Sequence, residues 1–112
     1  MFKIKGDVRK VLDGVGETTT SDEVDTSMFN ALYVACEVGG TGGTWTVKLQ
    51  GRLNHDGTAL DLSDESGDAL TTGAITASCI KVFKPIPDIV KLVATENVDG
   101  GTITVYVQPT NI

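Results

Sequence analysis

Three things are scarce in this sequence: helical spacing, long apolar runs and residues that carry chemistry. No segment repeats apolar residues at i, i+3, i+4 and i+7 over the roughly 10 to 12 positions of a convincing helix, and threonine and glycine, both poor helix formers, are abundant. Helix content is therefore expected to be small. No apolar run approaches the roughly 20 residues that cross a bilayer, so no membrane partner is expected. The opening MFKIKGDVRKVLDG scatters charge where a secretory signal would carry an apolar stretch of about 7 to 15 residues, so synthesis in the cytosol is the expectation. The single histidine, His55, has no recognisable nucleophile motif around it, and no role is assigned to it. The two cysteines lack CxxC spacing, so neither a metal nor another cofactor is expected, and the chain reads as a non-enzyme.

Positive charge is also limited. Nine Lys and Arg stand against fifteen Asp and Glu, a net charge of −6. Phosphate binding needs clustered bases that release counterions, so a nucleic-acid partner is disfavoured. The acids concentrate between Glu17 and Asp68, where Lys48 and Arg52 are the only bases, whereas Lys3, Lys5, Arg9 and Lys10 make the first thirteen residues comparatively basic. At 112 residues the chain suits one domain, since domains commonly take about 100 to 200 residues.

What the sequence does contain is period-2 alternation between glycine-rich turns, the mark of half-buried strands. Across 30–38, Leu32, Val34, Cys36 and Val38 share one face and Tyr33, Ala35 and Glu37 the other. Across 44–52, Trp45, Val47 and Leu49 alternate with Thr46, Lys48, Gln50 and Arg52. The glycine run at 39–43 between them reads as a hairpin loop, with the two strands pairing antiparallel. Near the C-terminus, 89–96 and 102–108 flank Asn97-Val98-Asp99-Gly100-Gly101 as a second hairpin, with Ile103, Val105 and Val107 facing the core. Residues 75–83 read as one strand with apolar side chains on both parities, hence covered on both faces. Lys84-Pro85-Ile86-Pro87-Asp88 then breaks the ladder and is expected to carry the chain between sheets. The fold expectation is all-β, an antiparallel β-sandwich or jelly-roll-like barrel, with residues 1–28 as an N-terminal arm or edge strand and loop and residues 29–112 as the sandwich core.

Cys36 and Cys79 lie in strand-like runs and have two readings: buried free thiols acting as small hydrophobes, or a bridge between strands. The acidic stretch from Asn54, His55 and Asp56 through Asp61, Asp64, Glu65 and Asp68 resembles a calcium loop in composition. It fails the EF-hand spacing, with Ser66 at the turn-glycine position and Thr72 at the bidentate position, and reads as a solvated loop. The GGTGG run lacks the Lys-Ser/Thr end of a phosphate loop. Trp45 shares the parity of Val47 and Leu49 and belongs to the core. Tyr33 and Tyr106 fall opposite the core, where a second surface would cover them. Together with Phe2, Ile4 and Arg9 of the basic N-terminal segment, taken as an arm from Met1 to Leu12, they are the candidate interface residues. The two tyrosines also leave open a carbohydrate-binding module.

The order of Val24-Asp25-Thr26, the strand 31–38, a glycine loop, 45–52 with its Leu-Gln-Gly exit, the Asp56-Gly57 turn, Asp61-Leu62, the proline crossing and Val90-Lys91-Leu92-Val93-Ala94-Thr95 resembles a group of small bacteriophage virion proteins. The resemblance runs over residues 18–108. It implies a β-sandwich or jelly-roll module on the outside of a phage head, a decoration or cement protein, with neck, tail or fibre structures as the alternative. It further implies the major capsid protein or another virion protein as partner, a homo-oligomer with trimer favoured, and residence in the virion after assembly in the host cytoplasm. Leu60 departs from the pattern, standing where an aromatic often follows the Asp-Gly turn.

Overall fold

A computed structural model describes residues 4–40, 42–53 and 57–112. Among the described residues there are eleven strands and no helix: β1 (Ile4–Lys5), β2 (Arg9–Val15), β3 (Thr19–Thr20), β4 (Val24–Asp25), β5 (Ala31–Gly39), β6 (Thr44–Arg52), β7 (Leu60–Asp61), β8 (Thr71–Ile75), β9 (Cys79–Phe83), β10 (Ile89–Val98) and β11 (Thr102–Asn111). They form two antiparallel sheets. In the first, β9, β5 and β11 lie side by side, with β1 and β2 end to end along the far edge of β11. In the second, β6 and β10 form the centre, flanked by β7 and β8 on one edge and by β3 and β4 on the other. The all-β antiparallel sandwich expected from the alternation is the fold observed.

The inward faces follow the sequence period. Leu32, Val34 and Cys36 of β5 and Ile103, Val105 and Val107 of β11 face Trp45, Val47 and Leu49 of β6 and Val90, Leu92 and Ala94 of β10, all essentially inaccessible to water. Burying each such valine or leucine contributes roughly 1.5–3 kcal/mol, so this interlayer is the main stabilising term. Polar ties close the margins. Thr26, fully buried, donates its hydroxyl to the Pro87 carbonyl at 2.6 Å, and its amide donates to the Asp88 carbonyl at 2.7 Å. Ser21 exchanges backbone and hydroxyl bonds with Leu92.

Neither glycine-rich reversal is a hairpin. β5 pairs with β11 and β6 with β10, so the 40–43 and 99–101 loops each arch from one sheet to the other. The arches nest against one another. A Cβ on Gly43 would stand 1.5 Å from the Gly100 carbonyl oxygen, and one on Gly101 would stand 2.6 Å from that of Gly39. Arch and hairpin share a local signature, a glycine turn between strands with inward apolar faces; only the choice of bonding partner separates them. Thr41 lies outside the described residues.

Residues 75–83 are likewise two strands. Ile75 ends β8 in one sheet, and β9 opens at Cys79 in the other, with 76–78 crossing between them. The proline segment 84–88 carries the chain back from β9 to β10, as its missing donors suggested. β11 runs three residues past Gln108 despite Pro109. Gly6 donates to the Pro109 carbonyl at 2.7 Å, so the side on which proline lacks an N–H faces the gap between β1 and β2, where no ladder bond is lost.

Candidate functional site

The two outward faces of the sandwich differ in chemistry. The face of the β6/β10 sheet presents Thr46, Lys48, Gln50 and Arg52 beside Lys91, Val93 and Thr95, a mostly polar surface. The face of the β5/β11 sheet is mainly apolar. One row across it runs Lys10, Tyr106, Ala35, Ile80, and the next Gln108, Tyr33, Val82. Tyr33 and Tyr106 are thus diagonal neighbours on adjacent strands, close enough for large side chains to meet. Ile80 is 71% exposed, Val82 43% and Val8 63%. Lys10 caps the row, with its Nζ 5.5 Å from the Tyr106 ring centre in a cation–π contact. A shallow depression of about 300 Å³ opens here, lined by Lys5, Val8, Tyr33, Ala35, Ile80, Tyr106, Val107 and Gln108.

Local sequence explains how these side chains arrive. Period-2 geometry turns Tyr33 and Tyr106 outward because their neighbours Leu32, Val34, Val105 and Val107 fill the core. Ile80 and Val82 were expected to be covered on both faces. They are open because β9 is an edge strand and, among the described residues, no third layer lies over it. Their apolar character on the parity opposite Phe83 was the signal that a surface, and not a core, awaited them. Lys81, on the inward parity at this edge, is exposed, a charge placed where it discourages edge-to-edge strand pairing.

The N-terminal candidates fare differently. Phe2 lies outside the described residues. Ile4 is placed by backbone pairing with Asn111, and Arg9, exposed, by pairing with Val107. Of the arm and the edge strand expected here, the described residues form the edge strand: β2 is hydrogen-bonded along β11, and Leu12 is buried in the core. The alternation of Val11, Asp13 and Val15 around Leu12 is too short to show this without knowledge of the β11 edge.

Two carboxylates of the acidic stretch, Asp61 and Asp64, bond within the protein. Asp61 accepts from the Gln50 amide at 2.8 Å and from Lys48 Nζ at 3.3 Å, and these two partners hold its carboxyl below the ordinary aspartate range. Asp64 Oδ1 accepts from the backbone amides of Ser66 and Asp68, closing the loop on itself. Asn54, His55 and Asp56 lie outside the described residues. Among the described residues no group of three or more His, Cys, Asp or Glu is arranged to hold a metal ion. Cys36 and Cys79 are free thiols, directly opposite each other across β5 and β9.

No family model matches the chain, and no curated protein matches it. Among solved structures, that of the SPBc2 prophage-derived protein YomS is similar, with a TM-score of 0.67 and 15% sequence identity over 98% of this chain and 96% of that one. At that identity the likeness is one of fold, and it extends over both chains almost end to end.

Proposed function

We propose that this chain is a non-enzymatic phage structural protein, a head decoration or cement protein that binds the outside of a capsid through the outer face of its β5/β11 sheet. The observation that carries the reading is that face, where Tyr33, Tyr106, Ala35, Ile80 and Val82 stand together in water on an otherwise polar sandwich. Contiguous apolar surface rimmed by Lys5, Lys10 and Gln108 has the composition of an interaction site, and tyrosines near its centre are typical anchors. The fold shared with a prophage-derived protein supports a phage setting, and the family resemblance supports the major capsid protein as partner and a trimer as the working oligomer.

The test has two parts. Virion mass spectrometry should find the protein in many copies per particle; a few copies beside normal heads would move it to the neck or tail. Purified protein should co-sediment with assembled shells, and Tyr106→Ala or Ile80→Lys should weaken that association at least about tenfold, the scale of a lost interface anchor, with thermal unfolding unchanged. Failure of both variants to change co-sedimentation would remove this face as the docking surface. The paired tyrosines also suit stacking on a sugar ring, so saturable glycan binding that falls in Tyr33→Ala would favour the carbohydrate-binding reading.

A further inference from the structure

We infer that Cys36 and Cys79 form a thiol–disulfide modification site, in which Cys79 is the entry thiol, Cys36 the resolving thiol and a low-molecular-weight disulfide the oxidant. Three observations carry this. The two residues are register partners in the antiparallel β5/β9 pair. Directly opposed residues of such a pair have Cα atoms about 4.5–5.5 Å apart, inside the roughly 4.4–6.8 Å range that disulfides span. Register partners also project their side chains to the same face of a sheet, so both thiols lie on the side of β5 and β9 that carries Leu32 and Phe83.

Their environments differ in the way a two-step exchange requires. Cys36 is buried, and desolvation first, then the neighbouring Cys79, raises its pKa to about 12, so it does not begin the reaction. Cys79 is half-exposed at the sheet edge, where a depression lined by Ala35, Cys36, Glu37, Ser78, Cys79 and Ile80 opens, and its exposure makes it the thiol a small reagent meets first. In the first step Cys79 releases its proton, and its sulfur attacks one sulfur of the disulfide RSSR. A bond forms between Cys79 and that sulfur, and the other leaves as RS⁻. In the second step Cys36 loses its proton, and its sulfur attacks Cys79 Sγ, expelling the second RS⁻. The protein dithiol is oxidised by two electrons, the reagent is reduced to two thiols, and the two protons end on them.

The closed bond ties the outermost strand β9 to β5 just after the 76–78 crossing, at the corner of the apolar face that Ile80 and Val82 line. In a reducing cytosol the pair stays open; in oxidising surroundings it closes. This site stands independently of the virion reading.

The experiment treats the full chain with oxidised glutathione, then unfolds it and maps its peptides by mass spectrometry. Wild type should give an intramolecular Cys36–Cys79 bond and an unfolding midpoint in urea higher by on the order of 1 M, both reversed by a reductant. Cys36→Ala should stop at a stable glutathione adduct on Cys79, and Cys79→Ser should not react. Should Cys36→Ala fail to fold, timed alkylation of wild type decides the order: Cys79 should react at least about tenfold faster than Cys36 at neutral pH. A stable mixed disulfide on wild type, a bond between two chains, or equal alkylation rates would overturn the inference.

Discussion

Trp45 is the largest fully buried side chain, and its cost and benefit lie in different atoms. The ring fills the sandwich centre, yet among the described residues its Nε1 has no hydrogen-bond partner, and neither does the buried Oε2 of Glu96, its register partner on β10. An unsatisfied buried donor costs about 1–3 kcal/mol, and removing the ring leaves a cavity costing about 3–5 kcal/mol. Trp45→Phe should therefore lower stability by no more than about 1–2 kcal/mol, because shedding the orphaned donor offsets part of the lost ring area. Trp45→Ala should approach the full cavity cost, and urea unfolding of both variants measures the split. Cys36 gives a pH signature of its own. Its thiol stays neutral in the fold up to about pH 12 but ionises from about 9.0 in the unfolded chain, so the unfolded state binds fewer protons in that window. The Cys36 contribution to stability under reducing conditions should be constant at neutral pH and fall as pH rises from about 9 toward 12, and Cys36→Ala should shallow that slope.

Arches and edges set the behaviour of the elements. The nested glycine arches leave no room for a side chain on Gly43, whereas Gly42, with φ of 83°, has open space where a Cβ would stand. Gly42→Ala then carries only backbone strain of about 1 kcal/mol, and Gly43→Ala forces the two arches apart. Thermal unfolding should show a modest loss for the first variant and little or no folded protein for the second. A near-equal loss would mean that the arches separate easily. These loops were legible as glycine-driven reversals at 39–43 and 97–101, but their partnership was not. It arises because β5 pairs with β11 in one sheet and β6 with β10 in the other, strands far apart in the chain, and no local pattern encodes that.

At the level of the whole molecule, the N-terminal segment and the apolar face belong to one sheet. Truncation through Leu12 removes β1, half of β2 and a core leucine, exposing the β11 edge, and should cost about 2–5 kcal/mol of stability. Loss of shell binding in that truncation would report unfolding as much as lost contact, so Ile80→Lys is the cleaner probe of the face. Arg52 and Glu23 act across the other sheet: the guanidinium Nη2 meets the carboxylate at 2.6 Å, Nε bonds its second oxygen, and Arg52 is largely shielded. This bidentate pair pins the β3–β4 margin to the end of β6. Glu23→Gln should lower the unfolding midpoint by an amount corresponding to about 1–2 kcal/mol, with a smaller effect at high salt.

The sequence by itself determined which residues face inward and where the chain turns, because strand alternation and glycine's access to positive φ are properties of a few consecutive residues. Tyr33 and Tyr106 were legible as outward-facing for that reason, and so was Trp45 as core. Tertiary structure alone decided which strands bond, that β9 lies at an edge with Ile80 and Val82 uncovered, that Leu12 is core, and that Cys36 meets Cys79. Each of these depends on contacts between segments far apart in the chain, where the loss of chain entropy is offset only by packing that the folded whole supplies.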